Sequence, residues 1–238
     1  MTKKKFSIDL NSFPKWGEIN WIDLEITNSI YALEKLIEVQ DEALHQVEED
    51  LFRKIKNTER SNGDLDEMTL DMYVEHLHGI EQRIILEFER IQDSSQITTI
   101  FSIFESKLKL VCDNISSEFK YNPEPRKINS IIHKHWHFLN SFLQEDIRPL
   151  EKHFTPIYNR NTLRNIIVHQ NSIADIKQYN ELKNFNGISF YEGIDSYYIY
   201  EISKTFIREL LALVKLFFEI LIKILTKKTN QLWTMKKE

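Results

Sequence analysis

The chain has 238 residues, with 36 acidic and 31 basic side chains and a net charge of −5, and it is long enough to bury a core. Five glycines and five prolines supply too few turn formers for an all-β fold, so an all-α helical bundle is expected. A lone cysteine, Cys112, excludes an intrachain disulfide, and its apolar neighbours Leu108, Leu110, Val111 and Ile115 predict a buried, inert thiol.

Charge is unevenly spread. Residues 18–118 carry 23 acidic and 9 basic side chains, whereas residues 119–238 carry 12 acidic and 18 basic ones. The net acidity gives no overall case for nucleic-acid binding, but the second half is the one that would draw a phosphate. A solvated basic face is the plainer account of the same excess.

Residues 1–17 read as a polar arm ending in Phe13-Pro14-Lys15-Trp16-Gly17. No apolar run follows Lys3-Lys4-Lys5, so no secretory signal is expected and a cytoplasmic location is. From Ile19 to about Lys56, Ile22, Ile26, Ile30, Leu33, Ile37, Leu44, Val47, Leu51 and Ile55 recur at helical spacing, and the simplest reading is one long helix. Its acidic residues, Asp41 and Glu42 and then Glu48, Glu49 and Asp50, read as a solvated face rather than a metal site.

Ser61-Asn62-Gly63-Asp64 marks a turn, with Asp64 or Asp66 able to cap the next helix. That helix carries Met68, Met72, Ile80, Ile84, Leu86, Phe88 and Ile91, with Gly79 inside the pattern. Asp93-Ser94-Ser95 is expected to interrupt or kink it before Ile97, Ile100, Phe101, Phe104, Leu108 and Val111 resume. Antiparallel pairing with the first helix follows. Tyr121-Asn122-Pro123-Glu124-Pro125 breaks the chain, read as a loop within one bundle. A further helix spans Ile128 to Leu143. Its His133, His135 and His137 lack an acidic or cysteine partner on that helix, so no metal site is assigned.

Thr155-Pro156 predicts a helix start, and Asn171-Ser172 a stop, placing a short helix over about 156–170. Residues 171–186 are polar with a few anchors. Gly187 to Gly193 and Tyr197 to Tyr200 read as two short strands about a turn, a tyrosine-rich insert that packs on the bundle or stacks on bases. The last helix is expected from Ser203 to about Lys227. Lys215, Glu219 and Lys223 fall on one edge of its apolar run, which argues against a membrane span. The resulting organisation is an arm (1–17), a single domain (18–228) and a basic tail (229–238).

The short helix carries Arg160-Asn161-Thr162-Leu163-Arg164-Asn165-Ile166-Ile167-Val168-His169. Asn165 and His169 share a face at four-residue spacing. Arg164 reaches over the same surface, and Arg160 adds a cation one turn earlier. An imidazole can move a proton near neutral pH, and a guanidinium can hold phosphate oxygens. RNA brings its own nucleophile, the 2′-hydroxyl, so this trio needs no metal-bound water.

Arg164-Asn165-x-x-x-His169 resembles the Arg-x4–6-His signature of the HEPN superfamily, in its Arg-Asn-x-x-x-His form. The resemblance is specific over residues 155–172 and general elsewhere. It implies an antiparallel helical bundle and a homodimer that sets two motifs across a cleft. It also implies metal-independent endoribonuclease activity without a cofactor, in toxin–antitoxin or antiphage defence with a possible antitoxin or regulatory protein. His169 would be the general acid or base, Arg164 the phosphate ligand and Asn165 the orienting residue, with Arg160 a secondary phosphate contact. Asn171 stands where toxins controlled by a nucleotidyltransferase commonly carry a tyrosine, so control at that position is not expected. The alternative is a non-catalytic helical module that binds RNA, nucleotide or a partner protein. A third reading is an unrelated bundle whose Arg164 and His169 satisfy each other in its core.

Overall fold

The computed structural model describes residues 16–124, 128 and 130–235; most of the arm expected over 1–17 lies outside them. The chain is mostly helical, with a small antiparallel sheet. In order, it forms α1 (Glu18–Ser61), α2 (Glu67–Phe119), α3 (Ile131–Leu143), a 3-10 turn (Gln144–Ile147) and α4 (Arg148–His169). There follow β1 (Ile173–Ala174), α5 (Ile176–Leu182), β2 (Ile188–Glu192), β3 (Tyr197–Ile202) and α6 (Lys204–Met235). Among the described residues no helix is long and apolar enough to cross a membrane. Two compact units are distinguished. The first comprises the described residues of Met1–Ile30, Ser102–Tyr158 and Ala212–Glu238; the second comprises Tyr31–Phe101 and Asn159–Leu211.

The first unit has an aromatic core. Phe104 meets Phe217 and Phe218 edge-on at 5.2 and 5.6 Å, and Trp136 stacks on Phe154 at 4.0 Å. Trp16, buried, meets Phe119 edge-on at 5.4 Å. Such geometries add to what apolar burial alone contributes. Ser130 caps α3, its side chain accepting from the His133 amide at 3.4 Å.

In the second unit α1 and α2 run antiparallel. Leu44 and Leu51 pack with Ile85, Lys54 pairs with Glu81 at 2.6 Å, and the Thr58 hydroxyl meets His78 Nε2 at 2.9 Å. Asp66 supplies the cap expected after the turn, its carboxylate accepting from the Thr69 amide at 3.0 Å and the Thr69 hydroxyl at 2.6 Å. The sheet has the order β1-β3-β2, all antiparallel, with Ile188 opposite Ile202 and Ile173 opposite Tyr198.

Several expectations are corrected. Asp93-Ser94-Ser95 does not interrupt α2. Asp93 is buried against the Lys204 ammonium, and the Ser94 and Ser95 carbonyls accept the Thr98 and Thr99 hydroxyls at 2.9 and 2.8 Å within an unbroken helix. Helix α3 begins at Ile131 rather than Ile128. Helix α4 begins at Arg148, not at Pro156, which lies inside it. An interior proline costs about 3 kcal/mol, yet Leu150, Phe154 and Ile157 are all buried along this run, and their burial outweighs that cost. Thr155 is therefore not a cap; its hydroxyl donates back to the Glu151 carbonyl at 3.1 Å. Helix α6 continues past Lys227 to Met235, with Thr229 fully buried.

Candidate functional site

The second half of α4 lies in the second unit, anchored by Leu163 and Ile166, both fully buried. These two residues fix the rotation of the helix, and therefore which side chains can reach solvent. His169 is the last helical residue and is exposed. Beyond it the chain turns sharply: the Ser172 amide returns to the Ile166 carbonyl at 3.2 Å, and the Ile173 amide to the Gln170 carbonyl at 2.9 Å. Asn171 and Ser172 both take left-handed backbone, with φ of 50° and 64°, which is unfavourable for residues with a Cβ. The turn is held from the sheet side by the Ile199 amide, which donates to the Ser172 carbonyl at 2.9 Å. His169 thus stands at the junction of a helix anchored by Leu163 and Ile166 and a pinned turn.

Arg164 is half-buried. Its Nη1 donates to Asn165 Oδ1 at 3.1 Å, while its Nε is buried and has no hydrogen-bond partner. The pair links a fixed cation to the residue one turn before His169, so Asn165 can orient the guanidinium as well as face the imidazole side of the helix. Arg164 and His169 are not buried together in a core.

Arg160 is placed differently. Its guanidinium lies over the Phe185 ring at 4.7 Å and the Phe206 ring at 5.3 Å. Burial holds its pKa below the usual arginine value, partly offset by Glu209. A guanidinium remains charged nevertheless, and the two rings fix its plane. Between these arginines the Asn161 Oδ1 is buried without a hydrogen-bond partner, and Thr162 donates to Glu181 at 3.1 Å.

Ser172 also lines a cavity of about 510 Å³ within the same unit, walled by Arg83, Arg90, Asp93, Tyr200 and Glu201 among others. At its edge lies a polar network that the sequence does not reveal. Asp93 takes the Lys204 ammonium, which lies 3.6 Å from Asp41. Asp41 also accepts from Gln92 at 2.9 Å and from Arg208 at 3.1 Å. Burial pushes the Asp93 carboxyl from 3.8 up to about 6, against the pull of Lys204.

The other histidines occupy separate positions. His133 stacks on Tyr158 at 4.0 Å, and His137 Nδ1 meets the Ser141 hydroxyl at 3.0 Å. Among the described residues no group of three or more His, Cys, Asp or Glu side chains is arranged to hold a metal ion. Within the tyrosine-rich insert Tyr179 stacks on Tyr197 at 3.9 Å, while Tyr191 and Tyr200 are exposed.

Comparison of the chain with models of protein families, with curated proteins and with solved structures found no match.

Proposed function

We propose that this protein is a HEPN-like endoribonuclease that cleaves RNA by attack of its own 2′-hydroxyl, using His169, Arg164 and Asn165. The observation that carries the reading is the exposure of His169 at the end of a helix anchored by Leu163 and Ile166, one turn from an asparagine that engages the arginine of the same motif. A histidine serving only the packing of this unit would be covered, whereas a proton-transfer group must reach its substrate.

In the proposed reaction His169 takes the proton of the 2′-hydroxyl, whose oxygen attacks the adjacent phosphorus. The bond to the 5′-oxygen breaks, leaving a 2′,3′-cyclic phosphate and a 5′-hydroxyl. Arg164 stabilises the charge gathering on the phosphate oxygens. The leaving oxygen takes its proton from His169 of the partner subunit, so the active form is a homodimer. Arg160, with its face held by Phe185 and Phe206, has only the edge of its guanidinium to offer a phosphate. Defence against phage, or toxicity relieved by an antitoxin, is the setting this activity fits.

A second reading, a non-catalytic module that binds RNA or a partner protein, is favoured by one observation: Arg164 is half-buried and already engaged by Asn165. The deciding experiment is cleavage of a labelled RNA in excess chelator by the native chain, His169→Ala and Arg164→Ala, with a 2′-deoxy substitution at the cleaved position as control. The ribonuclease reading expects loss of roughly 100-fold or more in His169→Ala, no cleavage of the deoxy substrate, and a cyclic phosphate product. Equal cleavage by native chain and variants would remove the site assignment. RNA binding without cleavage, weakened in Arg164→Ala and unchanged in His169→Ala, would establish the second reading.

A further inference from the structure

The middle strand of the sheet is paired along its whole length on one side only. β2 follows β3 from Glu192 opposite Tyr197 to Ile188 opposite Ile202, whereas β1 meets only Tyr197 and Tyr198. One further bond, from the Ile199 amide to the Ser172 carbonyl, ends the pairing on the β1 side. There the left-handed turn of Asn171 and Ser172 leads back to α4. The line that β1 would follow beside Tyr200, Glu201 and Ile202 therefore holds no strand.

That line is the cavity of about 510 Å³, a volume within the range of ligand pockets. Ser172 and residues 199–202 form one wall, and the face of α2 that carries Leu86, Arg90 and Ser94 forms the other. No β2 residue lines it among the described residues, so it lies on the side of β3 where β1 stops. Strand alternation sets which groups face it. The Ser203 amide donates to the Gly187 carbonyl at 2.8 Å, towards the β2 side. The amide and carbonyl of Ile202, one residue earlier, point the other way, into the vacated line. Ile202 is buried, and buried backbone groups are ordinarily paired. The register shifts between Ser189 and Phe190, which makes Tyr200 an extra residue in β3. Ile199 and Ile202 are accordingly both buried, while Tyr200 and Glu201 are both exposed.

An unpaired strand edge recognises another strand, because extended main chain repeats its donors and acceptors at the matching spacing. The charges of the cavity say which side chains that strand carries. Arg83 is paired with Glu75, Arg90 with Glu87 and Asp93 with Lys204. Glu89 and Glu201 line the cavity and have no cationic partner among the described residues. The surplus is negative, and it asks for a basic side chain.

We propose that a strand from another protein completes this edge: an extended segment of about three to five residues, apolar–basic–apolar in sequence. Its main chain bonds to Ile202, its basic side chain lies beside Glu201, and its apolar neighbours turn inwards beside Ile202. The inference goes beyond the ribonuclease reading and stands whether or not His169 is catalytic.

The probe is the blocked peptide acetyl-Thr-Val-Lys-Val-Thr-amide, titrated into the full chain and followed by amide NMR. Binding should saturate with a Kd below about 1 mM, shift the Ile202 amide and slow its hydrogen exchange. Methylating the two valine nitrogens, which face β3, should weaken binding by roughly tenfold or more. Glu201→Lys, at an exposed position, should weaken the lysine peptide by about threefold or more and favour a peptide with glutamate in its place. No saturation at about 1 mM overturns the proposal. So does binding that tolerates the methylated valines, which would mean a side-chain pocket rather than a strand edge. Exchange at Ile202 that slows with protein concentration alone would mean that a second copy fills the line, and also overturns it.

Discussion

Replacing Asp93 by asparagine isolates the energetics of a carboxylate that the fold buries beside a lysine. The groups facing it are Lys204 from α6, Asp41 from α1 and Glu89 from its own helix. Desolvation outweighs the attraction of Lys204 and lifts the carboxyl from 3.8 to about 6. A carboxyl whose pKa is higher folded than unfolded holds its proton more tightly in the native state. Its stabilising contribution is therefore complete below about pH 3.8 and is lost as the pH rises through about 6. Between pH 4 and pH 7 the loss amounts to about 2 kcal/mol, given roughly 1.4 kcal/mol per pH unit. Asparagine cannot titrate, so urea unfolding of native chain and Asp93→Asn, compared at several values across this interval, cancels the effect of every other carboxylate. The native chain should lose about 2 kcal/mol relative to the variant on going from pH 4 to pH 7. A difference that does not vary with pH, or that grows in the opposite sense, would refute the claim that desolvation dominates Lys204 at this position.

Three further outcomes follow from local geometry. Gly187 has φ of +87°, and a Cβ there would lie 2.2 Å from the Ser203 hydroxyl and 3.1 Å from the Phe206 Cβ; Gly187→Ala should cost about 2 kcal/mol or more, seen as a lowered Tm. Asp175 and Gln178 form a reciprocal capping box at the start of α5, with bonds of 2.8 and 2.9 Å, so Asp175→Ala should destabilise by about 1 kcal/mol in urea unfolding. Burial pushes the Cys112 thiol well above its ordinary pKa, so alkylation at pH 8 should be roughly 100-fold slower in the native chain than in denaturant.

The long helices were legible because their apolar residues recur over many turns: α1 was expected from Ile19, and α6 from Ser203. What misled was punctuation. Asp93-Ser94-Ser95 reads locally as a break, but Asp93 finds its partner at Lys204, 111 residues away, and no local pattern announces such a pairing. Pro156 reads as a helix start because its backbone preference is local, while the burial of Leu150 and Phe154 that carries α4 through it is tertiary. The two-residue β1 is too short to show alternation. The cap of α5 was present in the sequence, Asp175 followed three positions later by Gln178, and could have been found. At the candidate site, spacing gave the shared face of Asn165 and His169. The aromatic bed of Arg160 comes from Phe185, between α5 and β2, and from Phe206 of α6; like the half-burial of Arg164, it was not accessible from the motif.

The turn after His169 has a consequence for anyone wishing to make this protein more robust. Two successive non-glycine residues in left-handed backbone, Asn171 and Ser172, are where a glycine would ordinarily be introduced to relieve tension in a fold. Here the same tension sets the direction in which the chain leaves α4 for β1, so easing it would loosen that junction while raising the melting temperature. Thermal tolerance and a fixed passage from helix to sheet would then become competing objectives over a span of four residues.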